Sequence, residues 1–293
     1  MLTRRHFLRS SALASLALAT PSFSFASPRP GSSMRMGLVT YLWGQDWDVP
    51  TLIANCTKAK LGAIELRTEH AHGVEPAIST EKRKEVRRMF EDSPVICLGP
   101  GTNQAYHYTD QARLRAEIEG TKAFIKLSHD IGGTGVKVKP NAFPKEVSRE
   151  KTIEQIGKSL NEVGKYAGDM GQIIRVEVHG NETQELPAMK AIFDVADNPN
   201  VKICWNCNPE DLIGQGLEYN FNLVKDRFGD TVHVREMNLN DYPYQELMDL
   251  FVGIDYDGWI LLECRTSPED RIAAMIEQRK FWEKMVKKSQ KKK

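Results

Sequence analysis

Glu177, His233 and Glu263 each end a short β-rich run in which charged and apolar residues alternate. Two carboxylates and one imidazole suit a divalent ion such as Mn, Co, Mg or Zn. Asn206 or Asn208, in Cys204-Trp205-Asn206-Cys207-Asn208, could add an amide oxygen. These residues lie far apart in the chain, so their chemistry depends on a fold that brings the ends of several strands together.

Further residues could contact a substrate. Glu65, Arg67, His70 and His72 fall in Glu65-Leu66-Arg67-Thr68-Glu69-His70-Ala71-His72-Gly73, where a β-rich run passes into a loop. Lys137 and Lys139 could hold an anionic or hydroxyl-rich substrate, or stabilise an enolate; His179, Arg235 and Arg265 close other runs. Each has a plainer alternative. Glu65 and Arg67 can form a structural pair beside exposed histidines. Lys137 and Lys139 can pair with Glu65 or Glu177, and the arginines are open to similar pairing. His107 reads as a surface residue. Trp43 and Trp47 could stack on a sugar ring or pack in the core. Cys204 and Cys207 have CxxC spacing, but residues three apart on a strand face opposite ways, which favours two unpaired thiols.

The elements that must position these residues alternate regularly. Strands are predicted over 35–41, 62–67, 95–98, 135–139, 173–179, 201–206, 231–235 and 258–263. Helices are predicted over 49–60, 80–91, 110–131, 148–170, 186–196, 244–251 and 268–288, with a further helical stretch within 212–228. Strands alternating with helices imply parallel pairing through right-handed crossovers. Eight such units in about 260 residues have the size of a single-domain α/β (β/α)8 TIM barrel. The doubly wound open sheet is the competing architecture, and neither its Gly-x-Gly-x-x-Gly fingerprint nor a phosphate loop occurs.

Strand parity then carries the argument. Val136 and Val138 oppose Lys137 and Lys139; Ile174, Val176 and Val178 oppose Arg175, Glu177 and His179; Val232 and Val234 oppose His233 and Arg235. In a barrel the apolar rows pack on the helices, which leaves the charged rows pointing inward. Buried charges must pair, bind a ligand or hold a metal. They also fall late in their strands, toward the mouth where barrel active sites lie.

Composition sets outer bounds. The 293 residues are 41% hydrophobic and 27% charged, enough for a packed core and incompatible with a wholly disordered chain. With 40 basic and 39 acidic residues, no global charge points to nucleic acid as a partner. A mean hydropathy of −0.44 excludes a polytopic membrane protein. Five cysteines (56, 97, 204, 207 and 264) are too few for a disulfide scaffold, and their odd number leaves at least one unpaired within the chain.

The first residues read as a targeting segment. Arg4-Arg5-His6-Phe7-Leu8 precedes a short apolar run and the small residues Ser24 and Ala26. The pattern resembles a twin-arginine signal peptide over 1–26, followed by a linker over 27–34. Cleavage there removes three arginines and no acid, taking the formal charge from +1 to −2. A periplasmic or otherwise extracytoplasmic location is therefore expected, without stable membrane insertion after cleavage. The barrel should occupy 35–286, and 287–293 should be a solvated, frayed basic tail.

Val176-Glu177-Val178-His179-Gly180-Asn181, Val232-His233-Val234-Arg235 and Gly258-Trp259-Ile260-Leu261-Leu262-Glu263 resemble the xylose-isomerase-like TIM barrel family, the sugar phosphate isomerase/epimerase superfamily. The resemblance implies one divalent metal held by a Glu, an Asp, a His and a Glu at successive strand ends. Glu177, His233 and Glu263 match three of these positions, and the Asp position falls on Asn206. The two glutamates would also be the catalytic proton carriers. An amide carries no charge, so such a site binds metal more weakly or recruits His179 or His72.

The combined expectation is an exported sugar isomerase or epimerase acting on a small, non-phosphorylated keto-sugar. Two alternatives remain: a lyase that expels a β-leaving group from a keto-glycoside, and a catalytically silent sugar-binding barrel. A homo-oligomer is compatible with each. A metal-dependent nuclease fits less well, because no basic groove is evident.

Overall fold

The computed structural model describes residues 33–293. The expected signal peptide and all but the last two residues of the linker lie outside them. Eight strands alternate with helices: β1 (Arg35–Val39), α1 (Tyr41–Gly44), α2 (Val49–Ala59), β2 (Ala63–Arg67), α3 (Thr80–Glu91), β3 (Ile96–Ala105), α4 (Gln111–Asp130), β4 (Gly135–Lys139), α5 (Arg149–Asp169), β5 (Ile173–Glu177), α6 (Leu186–Val195), β6 (Val201–Asn206), α7 (Leu217–Val224), β7 (Phe228–Val234), α8 (Tyr244–Gly253), β8 (Trp259–Leu262) and α9 (Arg271–Gln290). Short 3-10 turns over Pro209–Leu212 and Lys225–Arg227 flank α7. All eight strands pair in parallel, and β8 returns to β1, closing a barrel.

The helix starts follow from local chemistry. Asp48, Ser79, Asp110, Ser148 and Asp270 each cap a helix by accepting from backbone N–H groups of its first turn. The helices bury the apolar strand rows: Val136, Val138, Ile174, Val176, Val178, Ile203, Val232, Val234, Ile260 and Leu262 belong to one continuous core. The parity reading therefore holds.

The barrel interior is divided. Val39, Ala63, Leu98, Trp259 and Leu261, from β1, β2, β3 and β8, form an apolar half. The facing half is polar. There Arg175 is fully buried and forks onto Asp230 at 2.7 and 2.8 Å, while donating to the Leu98 carbonyl at 2.8 Å and to Thr134 Oγ1 at 2.6 Å. A buried guanidinium is tolerable because these acceptors replace its water shell.

Several boundaries differ from the sequence prediction, and three differences bear on the fold. Strand β3 continues through Gly99-Pro100-Gly101 to Ala105; the partners of Ile64 and Glu65 jump from Cys97 to Gly99, a bulge that re-registers the strand. Strand β7 starts at Phe228, where helix was expected. The basic tail is exposed but held rather than frayed: α9 runs to Gln290, Lys292 pairs with Asp249 at 2.6 Å, and Lys293 pairs with Asp255. Among the described residues no helix is long and apolar enough to cross a membrane.

Candidate metal centre and active-site mouth

Register assembles the centre. On β5 and β6, Glu177 lies beside Cys204; on β6 and β7, Asn206 lies beside His233. The N–H of Glu263 donates to the Val234 carbonyl at 2.8 Å, which carries Glu263 to the same height. Glu177, His233 and Glu263 each offer a ligand atom within 4.8 Å of the others, and all three are buried. His233 Nδ1 lies 3.9 Å from Glu177 Oε1 and 3.7 Å from Glu263 Oε2. That nitrogen is buried and has no hydrogen-bond partner in the structure. An orphaned ring nitrogen facing two carboxylates fits a divalent cation.

Glu65 stands behind His233, with Oε2 at 3.4 Å from Nε2. A proton on Nε2 directed at Glu65 leaves the Nδ1 lone pair for a cation, the carboxylate–histidine–metal arrangement. Gly101 makes room for Glu65: a Cβ there would lie 2.5 Å from Glu65 Oε1. The pKa of His233 sits well above that of an ordinary histidine. Burial opposes the charge, but Cys204, Glu65 and Glu263 outweigh it. A proton and a metal ion therefore compete for this imidazole.

Lys137 is the second cation of the centre. It is 1% exposed, and its Nζ lies 2.6 Å from Glu177 Oε2 and 3.2 Å from the Thr102 carbonyl. Asn206 Nδ2 donates to the other oxygen, Glu177 Oε1, at 3.1 Å. Burial alone would raise the Glu177 pKa, but Lys137 and then His233 hold it well below the usual carboxylate range. Glu263 is drawn less far down, because burial and the charge of Glu177 act against His233 and Lys137. The two glutamates are thus unequal.

Above them opens a cavity of about 60 Å³, lined by Tyr41, Arg67, Lys139, Glu177, His179, Glu263 and Arg265. Of the residues expected to touch substrate, Arg67, Lys139, His179 and Arg265 reach it. Burial, and then the charge of Lys137, lower the Lys139 pKa to about 8. Arg235 has a buried Nε without a partner, and its backbone N–H donates to the Tyr244 hydroxyl at 3.1 Å.

Four expected substrate residues do other work. Glu65 is fully buried behind His233, and Lys137 is taken by Glu177. Both ring nitrogens of His72 are spent on backbone, with Nε2 at 2.8 Å from the Arg67 carbonyl and Nδ1 accepting from Val74 N–H at 3.0 Å. That removes His72 as a recruited ligand too. Asn208 donates to the Val178 carbonyl at 2.7 Å and caps the 3-10 turn with Asp211.

Other sequence readings also resolve. All five cysteines are free and buried. Trp43 is 2% exposed and donates to the Thr266 carbonyl, the core alternative. Three residues had not been singled out. Tyr41 lines the cavity from just beyond β1, a position strand length alone could have indicated. Asp211 is fully buried and accepts from Tyr242 at 2.7 Å. Glu236 holds the β8 loop by accepting from Arg265 N–H and Thr266 N–H.

Residues 53–285 match the model of the xylose isomerase-like TIM barrel family. The chain belongs to that family. A sequence search of curated proteins gives no match. Among solved structures, this family member is similar to an L-ribulose 3-epimerase, with TM-score 0.77 and 15% identity over 88% of this chain and 96% of the other. A 3-keto-D-glucoside 4-epimerase, YcjR of E. coli in its apo form, gives TM-score 0.73 and 12% identity over 86% and 99%. IolI with a bound zinc atom gives 0.73 and 14% over 87% and 99%. At these identities the likeness establishes the barrel fold.

Proposed function

We propose that this barrel is a divalent-metal-dependent sugar isomerase or epimerase that moves a proton alpha to the carbonyl of a small keto-sugar. The observation that carries the reading is His233 Nδ1, unpartnered and facing both Glu177 Oε1 and Glu263 Oε2. Glu177, His233 and Glu263 would hold the ion, which supplies positive charge beside the substrate oxygens when bound. The similar structures support the reading, since they include sugar epimerases and a protein with a bound zinc atom.

The unequal carboxylates assign the roles. Glu177 is engaged at both oxygens, by Lys137 and Asn206, which holds it ionised and fixed. Glu263 contacts His233 but no lysine, and it lines the cavity, so it is the base that removes the proton. Returning the proton to the other face or the neighbouring carbon gives epimerisation or isomerisation. Asn206 stays close enough to Glu177 to contribute to the ligand set.

Exchange of solvent deuterium into a panel of ketoses tests the reading. Loss of about 10²–10⁴-fold in exchange rate is expected for Glu263→Gln. Unchanged exchange in both Glu263→Gln and Glu177→Gln would remove it. A second reading rests on Lys137, which neutralises Glu177 without a metal while Asn206 hydrogen-bonds its other oxygen: the barrel would hold its sugar unchanged. Metal-independent sugar binding with no exchange would favour that reading.

The export assignment is part of the same proposal. It rests on Arg4-Arg5 and the following apolar run, and extracytoplasmic location is checked by cell fractionation. Substituting both arginines by lysine should retain the chain inside the cell.

A further inference from the structure

Three cations on the cavity wall lack acidic partners. Arg67 lies over the Tyr41 ring at 5.1 Å and reaches Asn103 Oδ1 only at 3.5 Å. Lys139 Nζ donates to the same Asn103 oxygen at 3.2 Å. Arg265 is exposed, and its backbone is fixed by Glu236 at 2.9 Å. Among the described residues none of the three is ion-paired to a carboxylate. Of the two acids in the cavity, Glu177 is engaged by Lys137 and Asn206, and Glu263 faces His233 Nδ1 at 3.7 Å.

Guanidinium and ammonium groups elsewhere in the chain find acids readily. Arg115 pairs with Glu162 at 2.7 Å, and Arg175 forks onto Asp230. Crowding like charges around one small cavity is unfavourable unless an anion enters. A neutral polyol offers hydroxyls but no compensating charge. A carboxylate or phosphate offers oxygens that a guanidinium fork and an ammonium can share.

We propose that the substrate is an anionic sugar, whose carboxylate or phosphate is held by Arg67, Lys139 and Arg265 while its carbonyl end lies over Glu177 and Glu263. This rests on the proton-transfer reading only for the second half of that placement. The cavity is thereby polarised, with acids at its floor and unpaired cations on its wall. The same wall would orient the substrate, because turning it end for end would set the anion against the carboxylates.

A matched series tests the inference by calorimetry on the mature protein: D-fructose, D-fructuronate and D-fructose 6-phosphate, which differ only at C6. At least tenfold tighter binding of an anionic member is expected, and whichever one binds tighter identifies the anion. That advantage should shrink as salt rises from about 50 to about 500 mM, because screening shortens the reach of charge. It should also fall below threefold in Arg67→Gln/Lys139→Gln. Equal affinity across the series, or an advantage untouched by salt and by the double substitution, would overturn the inference. Deuterium exchange into fructose without any anionic preference would leave the proton-transfer reading standing alone. Tight anion binding without exchange into any member would do the reverse.

Discussion

Glu65 Oε2 faces His233 Nε2 at 3.4 Å, while the opposite ring nitrogen faces Glu177 and Glu263. One buried carboxylate therefore fixes which nitrogen is free to bind a cation. Glu65 does not line the cavity and reaches the centre only through His233 Nε2, so it is a positioning residue. Glu65→Gln should weaken Mn²⁺ binding by about 10–100-fold. Direct titration of the metal-free protein measures this. Unchanged affinity in a folded variant would leave Glu65 with a purely structural role.

Lys137 holds Glu177 at 2.6 Å and would compete with a metal for it. Lys137→Met removes the counter-charge from a fully buried carboxylate and should destabilise the metal-free protein by about 3–5 kcal/mol. Mn²⁺ should recover much of that loss, because an ion then supplies the missing charge. Melting curves with and without metal report both effects. A variant that melts lower and gains nothing from Mn²⁺ would show that the centre does not take the ion.

Asn206 leaves the centre short of one negative charge. Asn206→Asp should tighten Mn²⁺ binding at least tenfold, equivalent to about 1.4 kcal/mol. It should also weaken the hold on Glu177, since a carboxylate cannot donate the 3.1 Å hydrogen bond that the amide makes. Elemental analysis of wild type and variant, purified side by side without chelator, gives the first reading.

Asp211 makes stability depend on pH. Burial raises its pKa from 3.8 to about 8, against the hydrogen bonds from Asn208 and Tyr242. The folded state therefore holds this proton more tightly than the unfolded chain. The resulting stabilisation is complete below about pH 4 and is lost as pH rises through about 8. Asp211→Asn has no carboxyl to titrate, so its melting temperature should fall less than that of the wild type between about pH 6 and 9. Parallel pH dependences would remove Asp211 as the source.

Much of the barrel was legible because its strands carry two clean rows. Val232 and Val234 had to meet helices, so His233 had to face inward. The inward direction of Glu177, His233 and Glu263 followed from parity alone. Strand β3 defeated the same rule. Its Gly99-Pro100-Gly101 resembles a turn, yet it is strand whose register slips at a bulge that sequence alternation does not encode. His72 and Asn208 were misread for a different reason. Histidine and asparagine at strand ends suit substrates and loop backbones equally, and only the carbonyls of Arg67 and Val178 decide between them. Lys137 lay between these cases: its inward direction was readable, but its choice of Glu177 over Glu65 needed the barrel's stagger.

The fastening of Lys292 and Lys293 to Asp249 and Asp255 fixes where the last turn of α9 and the residues after it lie. Asp255 precedes β8, so Lys293 lies at the floor of the barrel, where β1 also begins, and away from the cavity. A sensor surface or a fusion partner attached beyond Lys293 would therefore present the open end of the barrel outward. Sugars and ions could then be supplied to tethered molecules without the support standing in their path.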